Sequence, residues 1–135
     1  MGAWGPNTFD NDAACDWTYD LEKTRDLRLV RETLARVEAV GAKYLEAAAA
    51  SQGLAACEAL ARLRGKWGLR NAYTEALDAW VNTHKQDPPG DLVEQGVRVI
   101  DRVLTAPSEL LELWSEGDSE DWQTAVADLR KRLTT

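Results

Sequence analysis

Three features of the 135-residue sequence predict an all-α fold, a single bundle of about six to seven short helices without a sheet. Apolar residues recur three and four apart through most of the chain, the spacing of a buried helix stripe. No stretch alternates apolar and polar residues with the β-branched enrichment of a strand. Helix stops punctuate the pattern at Gly41, Gly65, Asp87-Pro88-Pro89-Gly90 and Gly117. There is no internal repeat and no linker long enough to divide the chain, so residues 1–135 read as one domain. A chain of this length buries enough surface for a core without staples.

The elements follow in order. Met1 to Phe9 is irregular, held by Gly2, Gly5 and Pro6, and is expected to pack on the first helix. That helix is predicted from Asn11 to Glu22, with Asp10 as its cap and acids in its first turn, where the helix dipole favours them. A second helix spans Arg25 to Val40, with Leu27, Val30, Leu34 and Val37 on one stripe and Gly41 as its stop. Lys43 to Gly53 is alanine-rich but is read as broken by Ser51-Gln52-Gly53. The third helix is therefore placed from Leu54 to Arg64, with Cys57, Leu60 and Ala61 inward. A fourth covers Asn71 to Thr83, with Tyr73, Ala76, Leu77, Trp80 and Val81 as its apolar face. Asp91 to Leu104 is apolar over a wide arc, which predicts a central helix packed from several sides. Pro107 is expected to open a short helix through Leu110, Leu111 and Trp114, since proline suits a first helical turn. Ser119 to Leu133 closes the chain. Asp118 or Ser119 caps it, Trp122, Ala125, Val126, Leu129 and Leu133 face inward, and Arg130, Lys131 and Arg132 sit at its negative end. The short connections predict antiparallel packing of sequence neighbours.

Charge and cysteine usage narrow the function classes. With 23 acidic and 16 basic residues the net charge is −7. That disfavours nucleic acid, which needs a basic face, and anionic membrane surfaces. It permits a basic protein partner. Cys15 and Cys57 lie 42 positions apart, outside any CxxC unit, and read as free and buried. No basic and apolar leader opens the chain, and the longest uncharged run, Ala47 to Cys57, is too short to span a membrane. A cytoplasmic location is the expectation.

The two ends carry rare residues at fixed spacing. Met1-Gly2-Ala3-Trp4-Gly5 is followed by Phe9, Asn11-Asp12 and Asp16-Trp17; the far end has Ser108-Glu109-Leu110, Glu112-Leu113-Trp114, Trp122 and Leu129 to Leu133. This pattern resembles an uncharacterised bacterial family, domain of unknown function 4259, with Ala55-Ala56-Cys57-Glu58 as a weaker third match. The resemblance implies a small helical bacterial domain and brings no activity and no catalytic residues with it.

Several groups of residues are candidates for chemistry, each with a plainer structural account beside it. Asp12, Asp16 and Asp20 are four apart and share a helix face, with Asp10 and Asn11 at its start. Such oxygen-rich sets suit Mg²⁺ or Ca²⁺, whereas helix capping and a solvated face explain them without a metal. No cofactor is expected; the metal alternative joins Asp12 and Asp16 to Glu58 from another helix. An EF-hand is excluded by spacing. Trp4 and Trp17 either line a pocket or act as a clamp that folds the terminus onto the first helix. Together Trp4, Asp10, Asn11, Asp12, Asp16, Trp17 and Glu58 make the candidate binding surface. His84, the single histidine, lacks partners for zinc and suits a helix C-terminus. Gly65-Lys66-Trp67-Gly68 lacks the spacing of a phosphate loop and reads as a helix stop and turn. Neither a G-x-S-x-G elbow nor any other complete catalytic motif is present. Glu109, Glu112, Glu116, Asp118, Glu120 and Asp121, with Trp114 and Trp122, form an acidic, aromatic stretch suited to a basic partner or to capping and solubility.

The leading expectation is a non-catalytic acidic protein-binding module of immunity or regulatory type. The alternatives are a divalent-metal hydrolase or ligand-binding domain using the N-terminal acids, and a structural subunit of a homo-oligomer such as a homodimer.

Overall fold

Alanine makes up eight of the 17 residues of the helix Ala47–Leu63, and small residues let other helices approach it on every side. The computed structural model describes residues 5–116 and 119–135, without the side chain of Ser119. Among these residues there are seven helices and no strand: α1 (Asp12–Glu22), α2 (Arg28–Ala39), α3 (Ala47–Leu63), α4 (Glu75–Thr83), α5 (Gly90–Val103), α6 (Glu109–Ser115) and α7 (Ser119–Thr134). α3 is the axis. It packs against α1, α2, α4, α5, α6 and α7.

The Ser51-Gln52-Gly53 break is corrected: α3 runs through it. A side chain at Gly53 would lie 3.0 Å from methyls of both Val37 and Val99, so the small residue is what lets α2 and α5 close on α3. The loss of helix propensity at one glycine, about 1 kcal/mol, is offset by that packing. α5, predicted to be central, is flanked by α2, α3 and α7 and buries Leu92, Val99, Ile100 and Val103.

Helix starts differ from the sequence reading because side-chain caps decide them. Asn11, not Asp10, caps α1: its Oδ1 accepts from Ala14 N at 2.9 Å. Asp10 is buried one step earlier, where it accepts from Asn7 N at 3.1 Å. α2 starts at Arg28, whose N–H donates to Asp26 Oδ1. Asn71 to Thr74 form a turn rather than the start of α4: Asn71 N donates to Thr74 Oγ1, and Tyr73 N to Asn71 Oδ1. Tyr73 is consequently exposed instead of joining the inner face. Pro107 precedes α6 instead of opening it. Its carbonyl accepts from Leu45 N, and Glu109 N donates to Leu45 O, an isolated parallel bridge tying the α2–α3 loop to the start of α6. Capping of α7 by Asp118 or Ser119 falls outside the described residues and side chains.

Among sequence neighbours, α2 packs extensively on α3, and α3 on α4 and α6 on α7 more lightly. α1 rests mainly on α3 and α4, and α5 on helices from both halves of the chain. α7 lies along α3 in the same direction: Trp122 and Val126 are beside Ala47 and Ser51, and Arg132 reaches Glu58 near the other end. The molecule therefore has two poles, one at the N-terminal ends of α3 and α7 and one at their C-terminal ends.

Candidate functional site

At the first pole the irregular segment before α1, the first turns of α3, and the facing ends of α6 and α7 surround a groove of about 250 Å³. Its walls are mostly apolar: Pro6, Ala13, Ala47, Ala48, Leu54, Leu110, Trp114, Trp122, Ala125 and Val126. The Trp114 and Trp122 rings stack with centroids 6.3 Å apart and planes within 3° of parallel. Alanine opposite two large rings leaves the space open. Its size lies just under the roughly 300–1,000 Å³ of small-molecule pockets and suits one or two side chains.

Asp12 is the charged residue among those described as lining the groove, and the stretches around it are acidic. The stretches that form it, 5–13, 46–54, 109–116 and 119–126, contain Asp10, Asp12, Glu46, Glu109, Glu112, Glu116, Glu120 and Asp121, and no Lys or Arg. That leaves 15 of the 23 acids to set against all 16 basic residues in the rest of the chain. Asp12, Glu46, Glu112, Glu116, Glu120 and Asp121 are exposed. Two neighbouring groups register the field. Burial, and then the charges of Asp12, Asp16 and Asp10, raise the Cys15 thiol pKa. Tyr44, whose hydroxyl donates to Glu112 Oε1, is raised by desolvation, then by the charges of Glu112 and Glu109. Part of the acidity serves the fold: Glu109 Oε1 accepts from Ala47 N at 2.7 Å and so caps α3 from another helix.

Beneath the same N-terminal segment lies a second cavity of about 60 Å³, bounded by Asp10, Glu58, Arg62, Thr74, Asp128 and Arg132 among others. It is closed off by an ion network. Arg62, 2% exposed, donates Nη1 to Glu58 Oε2, Nε to Asp78 Oδ1 at 2.8 Å, and Nη2 to Leu69 O. Glu58 also accepts from Arg132 Nη2 at 2.7 Å and Nη1 at 3.0 Å. Thr74 Oγ1 donates to Asp78 Oδ2, and Arg132 Nε to Asp128. Burial opposes the charge on Arg132, but Glu58 and then Asp128 outweigh it, and its pKa is raised. Among the described residues no buried side-chain N or O lacks a partner. These groups hold one another; their role is to join α3, α4, α7 and the loop after α3.

The sequence-selected residues divide between these places. Asn11 and Asp12 line the groove. Asp10 and Glu58 line the small cavity, where Glu58 faces two arginines. Asp16 is exposed and lines neither cavity. Trp17 is buried, its indole N–H donating to Thr33 Oγ1 at 2.8 Å, and lines neither. Trp4, and with it the terminal clamp, lies outside the described residues. Among the described residues no three His, Cys, Asp or Glu side chains are grouped as for a metal ion. His84 ends α4 with Nδ1 3.1 Å from Trp80 O and its ring against Trp80.

Sequence reasoning missed Arg62, Asp78 and Arg132. A signal existed for the first: Glu58 and Arg62 are charged residues four apart in an otherwise uncharged helix, the spacing of an ion pair. Asp78 and Arg132 come from distant helices and left no local trace.

No helix among the described residues is long and apolar enough to cross a membrane. No curated protein and no solved structure matches the chain. The model of one family matches residues 2–125, nearly the whole sequence, including the patterned start and the far end as far as Trp122 but not Leu129 to Leu133. The chain belongs to the family described as Domain of unknown function (DUF4259).

Proposed function

We propose that the protein is a non-catalytic binding module whose groove takes the apolar side chain of a basic segment of a protein partner. The observation that carries this reading is the coincidence of an apolar cavity, walled by the stacked Trp114 and Trp122 and edged by Asp12, with flanking stretches that hold eight acids and no base. Aromatic anchors in a dry recess supply binding energy, and the acidic rim supplies steering and selects against acidic partners. Phosphate-rich partners are disfavoured by the same field. A cytoplasmic regulatory or immunity-type role accords with two free thiols and a strongly acidic surface.

The test uses a helical peptide of alternating Leu and Lys clusters and its Leu/Glu counterpart, followed by tryptophan fluorescence and calorimetry. The basic peptide is expected to bind saturably, to weaken as salt rises, and to fail against Ala48→Trp, which fills the groove from an exposed position on its wall. Equal binding of the two peptides, or unchanged binding by Ala48→Trp, contradicts the proposal.

A further inference from the structure

We infer that the partner segment whose apolar side chain fills the groove also presents a primary ammonium group, and that this group enters the small cavity behind the N-terminal turn, with Asp10 as its counter-ion. This rests on the reading of the groove as a receptor for a basic, apolar segment and names the residue that recognises the base.

Asp10 is the acid of the small cavity that the ion network leaves over. Glu58 is paired with Arg62 and Arg132, Asp128 with Arg132, and Asp78, just outside the cavity lining, with Arg62 and Arg70. Three guanidinium groups thus meet three carboxylates. Asp10 is 8% exposed and forms no ion pair among the described residues. Its Oδ2 accepts from Asn7 N at 3.1 Å, while Oδ1 accepts from no described group. Every fully buried side-chain oxygen among the described residues has a partner, so Oδ1 is left accessible, and the cavity is the space that Asp10 lines. Capping does not account for this carboxylate, because Asn11 caps α1. A largely buried charge without a counter-ion is costly, and an incoming cation removes that cost.

The cavity adjoins the groove. Asn7, Thr8 and Ala125 line both, so the two spaces are one residue apart. Gly5 lines the groove, and a side chain there would collide with Asp10 Oδ2, which places the carboxylate directly behind the groove wall. The turn between the two spaces is tied only to itself and to α1. Asn7 N donates to Asp10 Oδ2, Asp10 N to Asn7 O, Asn11 Nδ2 to Thr8 O and Cys15 Sγ to Phe9 O. Among the described residues none of its hydrogen bonds ends on α3, α6 or α7, so Asn7 and Thr8 can yield to a guest without breaking one.

Size selects the group. The cavity holds about 60 Å³, against roughly 30 Å³ for one water molecule in the liquid. That is room for an ammonium, a compact charge with three donors. Thr8 and Asp128 bring further oxygens to the same space. An apolar body does not fit there and has the groove beside it.

The experiment titrates the full chain with 2-phenylethylammonium and with 2-phenylethanol, the same body with a neutral head, in ¹H–¹⁵N correlation spectra. The amine is expected to shift the Trp114 and Trp122 indole signals and the backbone signals of Asn7 and Thr8. It should bind about tenfold or more tighter than the alcohol, as a charge-assisted hydrogen bond requires. Asp10→Asn keeps an acceptor for Asn7 N and removes the charge; it should bind both probes alike, at the affinity of the alcohol, and should weaken the Leu/Lys peptide. Asp12→Asn, at the exposed groove edge, should retain the preference for the amine. Circular dichroism checks that both variants remain helical, and the comparison of the two probes on the wild type needs neither variant. Equal binding of amine and alcohol by the wild type, a preference that survives in Asp10→Asn, or one lost equally in Asp12→Asn overturns the inference. If the Leu/Lys peptide binds the wild type and Asp10→Asn equally, the ammonium site has failed and the groove reading stands.

Discussion

Replacing Arg62 with methionine removes the cation that holds α3, α4 and the loop after α3 together while keeping much of the side chain's length. Its guanidinium contacts Glu58, Asp78 and the Leu69 carbonyl, and its side chain is 1% exposed. After the change Glu58 keeps two hydrogen bonds from Arg132. Asp78 keeps the Thr74 hydroxyl and an Arg70 contact at 3.5 Å. Removing one partner of a buried ion pair costs about 3–5 kcal/mol, and the surviving partners place this case near 3. Unfolding entropy of roughly 2.1 cal/mol/K per residue over 135 residues converts that into a Tm lower by about 10 °C. Urea and thermal unfolding, followed by circular dichroism, measure it. Adding Asp78→Asn to Arg62→Met should cost less than the sum of the single changes by about 1 kcal/mol or more, since the second removes a charge the first left exposed to the core. Stability within about 0.5 kcal/mol of wild type, or strict additivity, would refute the network as a structural joint.

Gly53→Val should destabilise by about 2 kcal/mol, because its branches meet Val37 and Val99 methyls already 3.0 Å from the Cβ position; an unchanged urea midpoint would show that α2 and α5 yield freely. Burial, and then the charge of Glu58, raise the pKa of Cys57 far above its ordinary value. In the unfolded chain this thiol ionises near about 8.5, so its contribution to stability is complete below that pH and is lost as pH rises past it. Urea midpoints measured across that alkaline range should fall more steeply for wild type than for Cys57→Ala. Cys15, raised by burial and three aspartates, should react slowly with a thiol reagent in the native state, and Cys57 only on unfolding, as a timed Ellman's assay will record.

Periodicity made the helices legible, and local chemistry that periodicity ignores moved their ends. The stripe Val30, Leu34 and Val37 is buried as its spacing requires, and so are Trp122, Val126, Leu129 and Leu133. Gly65, read as a helix stop, has φ +80°, the left-handed conformation that ends α3. Gly53 reads locally as a break because its helix penalty is visible in sequence, whereas the two valines that require it are 16 and 46 positions away. The same limit governs the site. Trp114, Trp122 and their acids are close in sequence and were legible as an acidic, aromatic surface. The alanines of α3 that complete the groove belong to a distant stretch. Glu58 was singled out as a candidate binding or metal residue, and the arginines that neutralise it are set by tertiary packing.

Indole resonances give the most direct reading of whether the groove binds a basic segment. In a ¹H–¹⁵N correlation spectrum of the chain, the Trp114 and Trp122 side-chain signals should shift progressively as the Leu/Lys peptide is added. Those of Trp17 and Trp80, donating to Thr33 and to Thr24 O inside the fold, should stay in place. Shifts confined to Trp67 at the opposite pole, or no shift at Trp114 and Trp122 at saturating peptide, would contradict the assignment of the groove as the binding site.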